Sequence, residues 1–204
     1  MQQWRNLYIP CMVLWAGFVS GTKAAQQTTV TTLTATIVAS SCTGEIITTG
    51  TEGNAAGSSG TVDFGVLSPD AQNAPVRTFS LRLSESAGGE AGCSAFEAYG
   101  RQYPSATLTF GDSGNTQLDE NGVILHLDDQ SDARLRVQVS PLNDEGTFEK
   151  TGGKSYITAS NTKINYPIAF AARGLFDFKA VLSQWDGVKP GRFSGALTVT
   201  VVYQ

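Results

Sequence analysis

Along most of this chain, apolar residues return at every second position, and no other feature narrows the choice of fold as far. Phe79, Leu81 and Leu83 alternate with Ser80 and Arg82. Ala106, Leu108 and Phe110 form a second such row, and Leu135, Val137 and Val139 a third, set against Arg134, Arg136 and Gln138. Val62 and Phe64 flank Asp63, and Ile164, Tyr166, Ile168 and Phe170 continue the rhythm. The clearest row is the last: Phe193, Gly195, Leu197, Val199, Val201 and Tyr203 on one face, Ser194, Ala196, Thr198 and Thr200 on the other. A period of two is that of a strand with one buried face, and a helix cannot present it. The spacing predicts a first strand at Thr34 to Ser40, just ahead of Cys42, and a Gly-rich loop at Thr49 to Gly60. No segment carries a helical period, and no repeat of fixed length is visible. About eight short strands without long helices imply an all-β sandwich.

Composition supports that class and excludes others. Of the 204 residues, 41% are apolar, enough for a sizeable core in one domain or a small pair, while 16% are charged, below the usual quarter. Gly occurs 22 times, as many turns require. The formal charge is −4 and Lys and Arg form no cluster, which argues against nucleic acid as a partner.

The N-terminus reads as an export signal. Arg5 precedes the apolar run Leu7 to Val19, too short for a confident membrane span, and small residues follow. A cut after Ala24 places Ala24 and Thr22 at the small-residue positions, so residues 1–24 are expected to be removed. That loss takes away Arg5 and Lys23 and moves the formal charge from −4 to −6. Of the three cysteines, Cys11 lies in the removed segment, leaving Cys42 and Cys93. In an oxidising compartment such a pair is expected to form a disulfide, worth roughly 4 kcal/mol through loop closure. Two cysteines and one histidine show no zinc-ligand spacing.

Several fragments carry catalytic or ligand-binding chemistry in other settings. "GDSG" at Gly111 to Gly114 resembles the serine protease nucleophile segment but lacks the following Gly; Ser113 and the sole histidine, His126, are the only nucleophile and base it offers. A polar turn after a strand is the plainer reading. Asp112, Asn115 and Asp119 suggest calcium ligands, but Gly114 stands where a ligand is needed. Asp128, Asp129 and Asp132 read as a solvated loop, and Trp185 as a packed loop residue in preference to a sugar-stacking platform. No enzyme and no cofactor is expected.

The mature chain as a whole resembles a chaperone–usher pilin of the type 1 fimbrial kind. The resemblance rests on a Thr-rich arm before "ASSC", a "VDFGVL" strand, an "FSLRL" strand leading to "GC", and the ending "ALTVTVVYQ". Tyr203 is the second-to-last residue and Gly191 the fourteenth from the end, both usual in that family. The departures are the long Gly-rich loop, an insertion-like segment from Phe148 to Thr158, and an arm with few large apolar residues.

The resemblance implies an incomplete immunoglobulin-like sandwich lacking its last strand, with a signal peptide at 1–24, a donor-strand arm at 25–34 and a pilin domain at 35–204. It implies a structural subunit that polymerises head to tail by donor-strand exchange, with a periplasmic pilus chaperone, an outer-membrane usher and neighbouring pilin subunits as partners, exported through the periplasm to the cell-surface fimbrium. The alternative is a minor or tip subunit that itself binds a host glycan or protein receptor. Thr29, Thr31 and Leu33 share the parity of Ala35 and Ile37 and form the expected inserting face of the arm, with Val30 on the other. Gly191, Leu197, Val199, Val201 and Tyr203 mark the terminal strand, expected to be an edge beside an apolar groove, with no strand of the same chain closing it.

Overall fold

Period-two burial is satisfied when each apolar row lies on a pleated sheet whose inner face meets another sheet. The computed structural model describes residues 27–37, 42–48, 59–67, 73–100, 102–128, 134–143, 148–150, 155–184 and 190–203. The expected signal peptide and Trp185 lie outside the described residues, as do most of the Gly-rich loop and Asp129 and Asp132 of the acidic run. In chain order the elements are β1 (Gln27–Ile37), β2 (Thr43–Thr48), β3 (Ser59–Leu67), β4 (Val76–Ser84), α1 (Ser94–Tyr99), β5 (Ser105–Phe110), β6 (Leu118–Asp119), β7 (Gly122–Leu127), β8 (Arg134–Pro141), β9 (Glu149–Lys150), β10 (Lys163–Pro167), α2 (Ile168–Ala171), β11 (Leu175–Ser183) and β12 (Phe193–Tyr203). None of the described helices is long and apolar enough to cross a membrane.

The fold is an all-β sandwich made from one folded-over, nearly closed sheet. One wall runs β2-β4-β11-β8-β7, with β6 beside β7. The other runs β3-β1-β12-β5-β10-β9. They join where β7 meets the start of β12, Leu127 pairing with Phe193 and His126 with Ser194. The aromatic rows meet between the walls. Phe79 of β4 stacks on Phe178 of β11 at 5.3 Å, and Phe110 of β5 stands edge-on to Phe178 at 5.5 Å. Tyr166 of β10 is fully buried and meets Phe176 edge-on at 4.9 Å. Burial raises the Tyr166 phenol well above its ordinary range, with the Asp177 carboxylate adding to the shift.

The disulfide is present. Cys42 and Cys93 are bonded with their Cα atoms 5.9 Å apart. Cys42 stands immediately before β2, and Cys93 is the N-cap of α1. The bridge therefore ties the start of the second strand to the turn after the fourth.

The structure corrects four expectations. Two short helices occur where none was expected, both too short for a helical period to show in the sequence. Ile168 and Phe170 leave the strand row: Pro167 has no N–H to continue a ladder, so the chain makes one helical turn instead. Gly174, at φ 68°, reverses the chain into β11, a conformation that glycine adopts without cost. The expected first strand at Thr34 begins seven residues earlier, since Gln27–Ile37 is one continuous strand. Finally, β12 is no edge. It lies between β1 and the β7/β5 side, so a strand of the same chain closes the sandwich where none was expected. The physical reason is plain: an apolar face as long as that of β12 is costly to leave open, and the segment just upstream of Cys42 is near enough to cover it.

Candidate functional site

The place that sets this sandwich apart is the slot between β3 and β12. Each flanking ladder spans the usual spacing of about 4.8 Å, so without β1 these strands would stand about 10 Å apart. β1 runs parallel to β12 from Thr29↔Phe193 to Ile37↔Val201, and antiparallel to β3 from Gln27↔Leu67 to Thr34↔Ser59. Within the slot Leu33 lies between Gly60 and Leu197, and Thr31 between Val62 and Gly195. Leu33 and Thr31 are buried and Thr32 is exposed, which is the parity the sequence suggests for the arm. The side chains of Thr29 and Val30 lie outside the described residues.

The wall formed by β12 is apolar throughout its described inner face. Phe193, Leu197, Val199 and Val201 are all buried, while Ser194 and Ala196 face out. Tyr203 pairs through its backbone with Ala106; its side chain lies outside the described residues. Two glycines let this strand approach β7. A Cβ on Gly191 would sit 2.2 Å from Leu127 Cδ1, and one on Gly195 would sit 2.5 Å from the Ile124 carbonyl oxygen. Gly191 is thus a point of close packing at the entry to the strand.

On the side away from β1, β12 is held by two different strands in succession. β7 pairs with Phe193 and Ser194, and β5 with Val199 to Tyr203. Between them stands Thr198, whose carbonyl accepts from Gly111 N–H at 2.8 Å. Its own N–H donates to Gln117 Oε1 at 2.7 Å, and Gln117 Nε2 donates to Thr198 Oγ1 at 3.0 Å. One glutamine side chain thus replaces a ladder pair where the sheet changes partners. No pattern in the sequence singles out Gln117.

The opposite wall, β3, is shaped by a bulge facing Thr29 and Val30. Gly65 takes φ 73° there, and its N–H donates to the Asp63 carboxylate at 2.7 Å. Arg77 of β4 donates to the carbonyls of Asp63 and Phe64 at 2.9 and 3.2 Å. These are backbone acceptors freed by the bulge. Val62 and Phe64 face inward and are buried. Sequence reading identifies this strand but not its place as the second wall; the signal available was the "VDFG" turn chemistry.

Two carboxylates of the calcium reading, Asp112 and Asp119, are engaged in bonds within the protein. The Asp112 carboxylate accepts from the Thr116 hydroxyl and N–H, both at 2.8 Å, and from Gln117 N–H at 3.3 Å. Those bonds, the Thr116 hydroxyl first, hold its pKa below the ordinary carboxylate range. Asp119 accepts from Arg136 Nε at 2.6 Å and from Asn121 N–H at 2.8 Å. Ser113 lies in the exposed turn after β5 and His126 on the exposed face of β7. Among the described residues, no three His, Cys, Asp or Glu side chains gather in a metal-holding group.

A comparison with curated proteins finds no match to the chain. The family model of K88 fimbrial protein A matches residues 13–204. That span includes every described strand, the disulfide and both walls of the slot. The chain belongs to the K88 fimbrial protein A family, a family of chaperone–usher fimbrial subunits.

Proposed function

We propose that the chain polymerises by donor-strand exchange, its segment 25–34 entering the slot of the next subunit while its own slot receives another's. Family membership makes it a structural pilus subunit, placed in surface fimbriae among other subunits. The observation that carries the exchange reading is the position of β1. β1, the first described strand, fills the gap between two strands that do not otherwise pair. Such a strand can be replaced by an equivalent segment of another chain without disturbing the remaining ladders. Exchange of that kind does not close on itself, so it yields a filament.

In this reading residues 1–24 direct export, 25–34 donate the strand through Thr29, Thr31 and Leu33, and 35–204 form the pilin domain. Gly191, Leu197, Val199, Val201 and Tyr203 mark the strand that receives it. A periplasmic chaperone covers the slot first, an outer-membrane usher hosts the exchange, and the fibre supports adhesion. Deleting residues 25–32 tests the assignment. The truncated subunit should still be recovered from the periplasm bound to its chaperone and should be missing from fibres. Normal fibres from the deletion would refute it.

A further inference from the structure

We infer that the free subunit is self-closed: its own segment 27–37 is a temporary occupant of the slot and must leave before a neighbour's segment can enter. The inference rests on the exchange reading and adds a step to it.

Three observations carry it. First, the occupant is complete in backbone terms, with nine paired positions along β12 and eight along β3. Such a strand satisfies the edge groups that an open slot would leave bare. Second, the occupant fits poorly in side-chain terms. Thr31 is 2% exposed, yet its hydroxyl has no hydrogen-bond partner. Its neighbours across the two ladders, Val62 and Gly195, have no side-chain polar group to offer. A buried hydroxyl in that position favours release of the strand that carries it. Third, the occupant is tethered. Cys42, bonded to Cys93, follows Ile37 by five residues, which reach at most about 18 Å. So short a link gives the segment a high effective concentration at its own slot, and it closes there despite the poor fit. The combination is a protective closure that is quick to form and easy to displace.

A cysteine pair reads this directly. Thr32 and Ala196 are Cα partners in the parallel ladder and both are exposed. In Thr32→Cys with Ala196→Cys, purified without a chaperone, the 32–196 bond should form within one chain of a folded monomer, seen by non-reducing peptide mapping and sedimentation. The oxidised monomer should not take up a labelled synthetic peptide of residues 25–37. Mild reduction of that exposed bond should restore uptake. Thr31→Val, which removes the unpartnered hydroxyl, should raise the monomer's thermal midpoint by about 2–4 °C or more and slow peptide uptake several-fold. Free thiols at both positions of a folded monomer, 32–196 bonds only between chains, or a Thr31→Val variant no more stable than the parent would each overturn self-closure. If the bond forms within the chain but the reduced protein never exchanges its strand, self-closure stands and the exchange reading fails.

Discussion

Glu45 shows how much a single side chain holds together outside the slot. It lies on β2, nearly buried, in an ion pair with Arg82 of β4, and its second oxygen accepts from Gly88 N–H at 2.6 Å. The Arg82 hydrogen bond first, and then that backbone bond, hold its pKa below the ordinary carboxylate range. A depressed folded-state pKa contributes stability that is present above the unfolded value, about 4.3, and is lost as pH falls through the folded value. Glu45→Gln should therefore cost about 1–3 kcal/mol at pH 7. The gap from the parent should narrow as pH drops below 4, as urea unfolding at a series of pH values will show. Val199 is the corresponding residue in the slot wall, 1% exposed and paired with Ala35 and Phe110. Val199→Asp buries a carboxylate between the ladder partners Ala35 and Phe110, neither of which carries a charge. A cost of about 3 kcal/mol or more is expected unless the group stays protonated. Periplasmic extracts should contain little soluble subunit, and cells no fibres.

At the scale of the element, β12 is the strand on which the two walls depend. β1 covers one side of it, while β7, Gln117 and β5 share the other. The Gln117 side chain meets two polar groups of Thr198 at the changeover, and both lose their partner in Gln117→Leu. That variant should destabilise the fold by about 1–3 kcal/mol. Amide exchange should speed up at Thr198 more than in the β11–β8 ladder, where backbone pairing is unbroken. No described element precedes β1, so exchanging this strand would break no connection between the other described elements.

For the whole molecule, the disulfide and the sheet connections divide the work. Cys42–Cys93 closes a loop of 51 residues that contains β2, β3 and β4. Loop closure of that length constrains the unfolded chain by roughly 4 kcal/mol. A variant with both cysteines changed to serine should lose about that much in denaturant unfolding, and non-reducing mass spectrometry of the parent should find no free thiol at either position. The bridge also ties Cys42, five residues past the end of β1, to the turn after β4.

The period of two was enough to establish strands, an all-β sandwich and the inward face of β12, because alternation along a strand is a local property that burial on one side imposes. The cysteine count, with an oxidising compartment expected, was enough for the Cys42–Cys93 pair. The short helices escaped because four to six residues are too few to show a helical period, and Pro167 acted through a missing donor that alternation does not register. The parity of Thr31 and Leu33 was legible in the sequence; where that face goes was not. Pairing between residues 27–37 and 193–203 joins segments more than 150 positions apart, and only the folded sheet decides which edge an extended segment finds. The same holds for Gln117 and Arg77, whose polar groups matter only where a ladder changes partner or bulges, and for the site itself, which is a gap between strands and belongs to no single stretch of sequence.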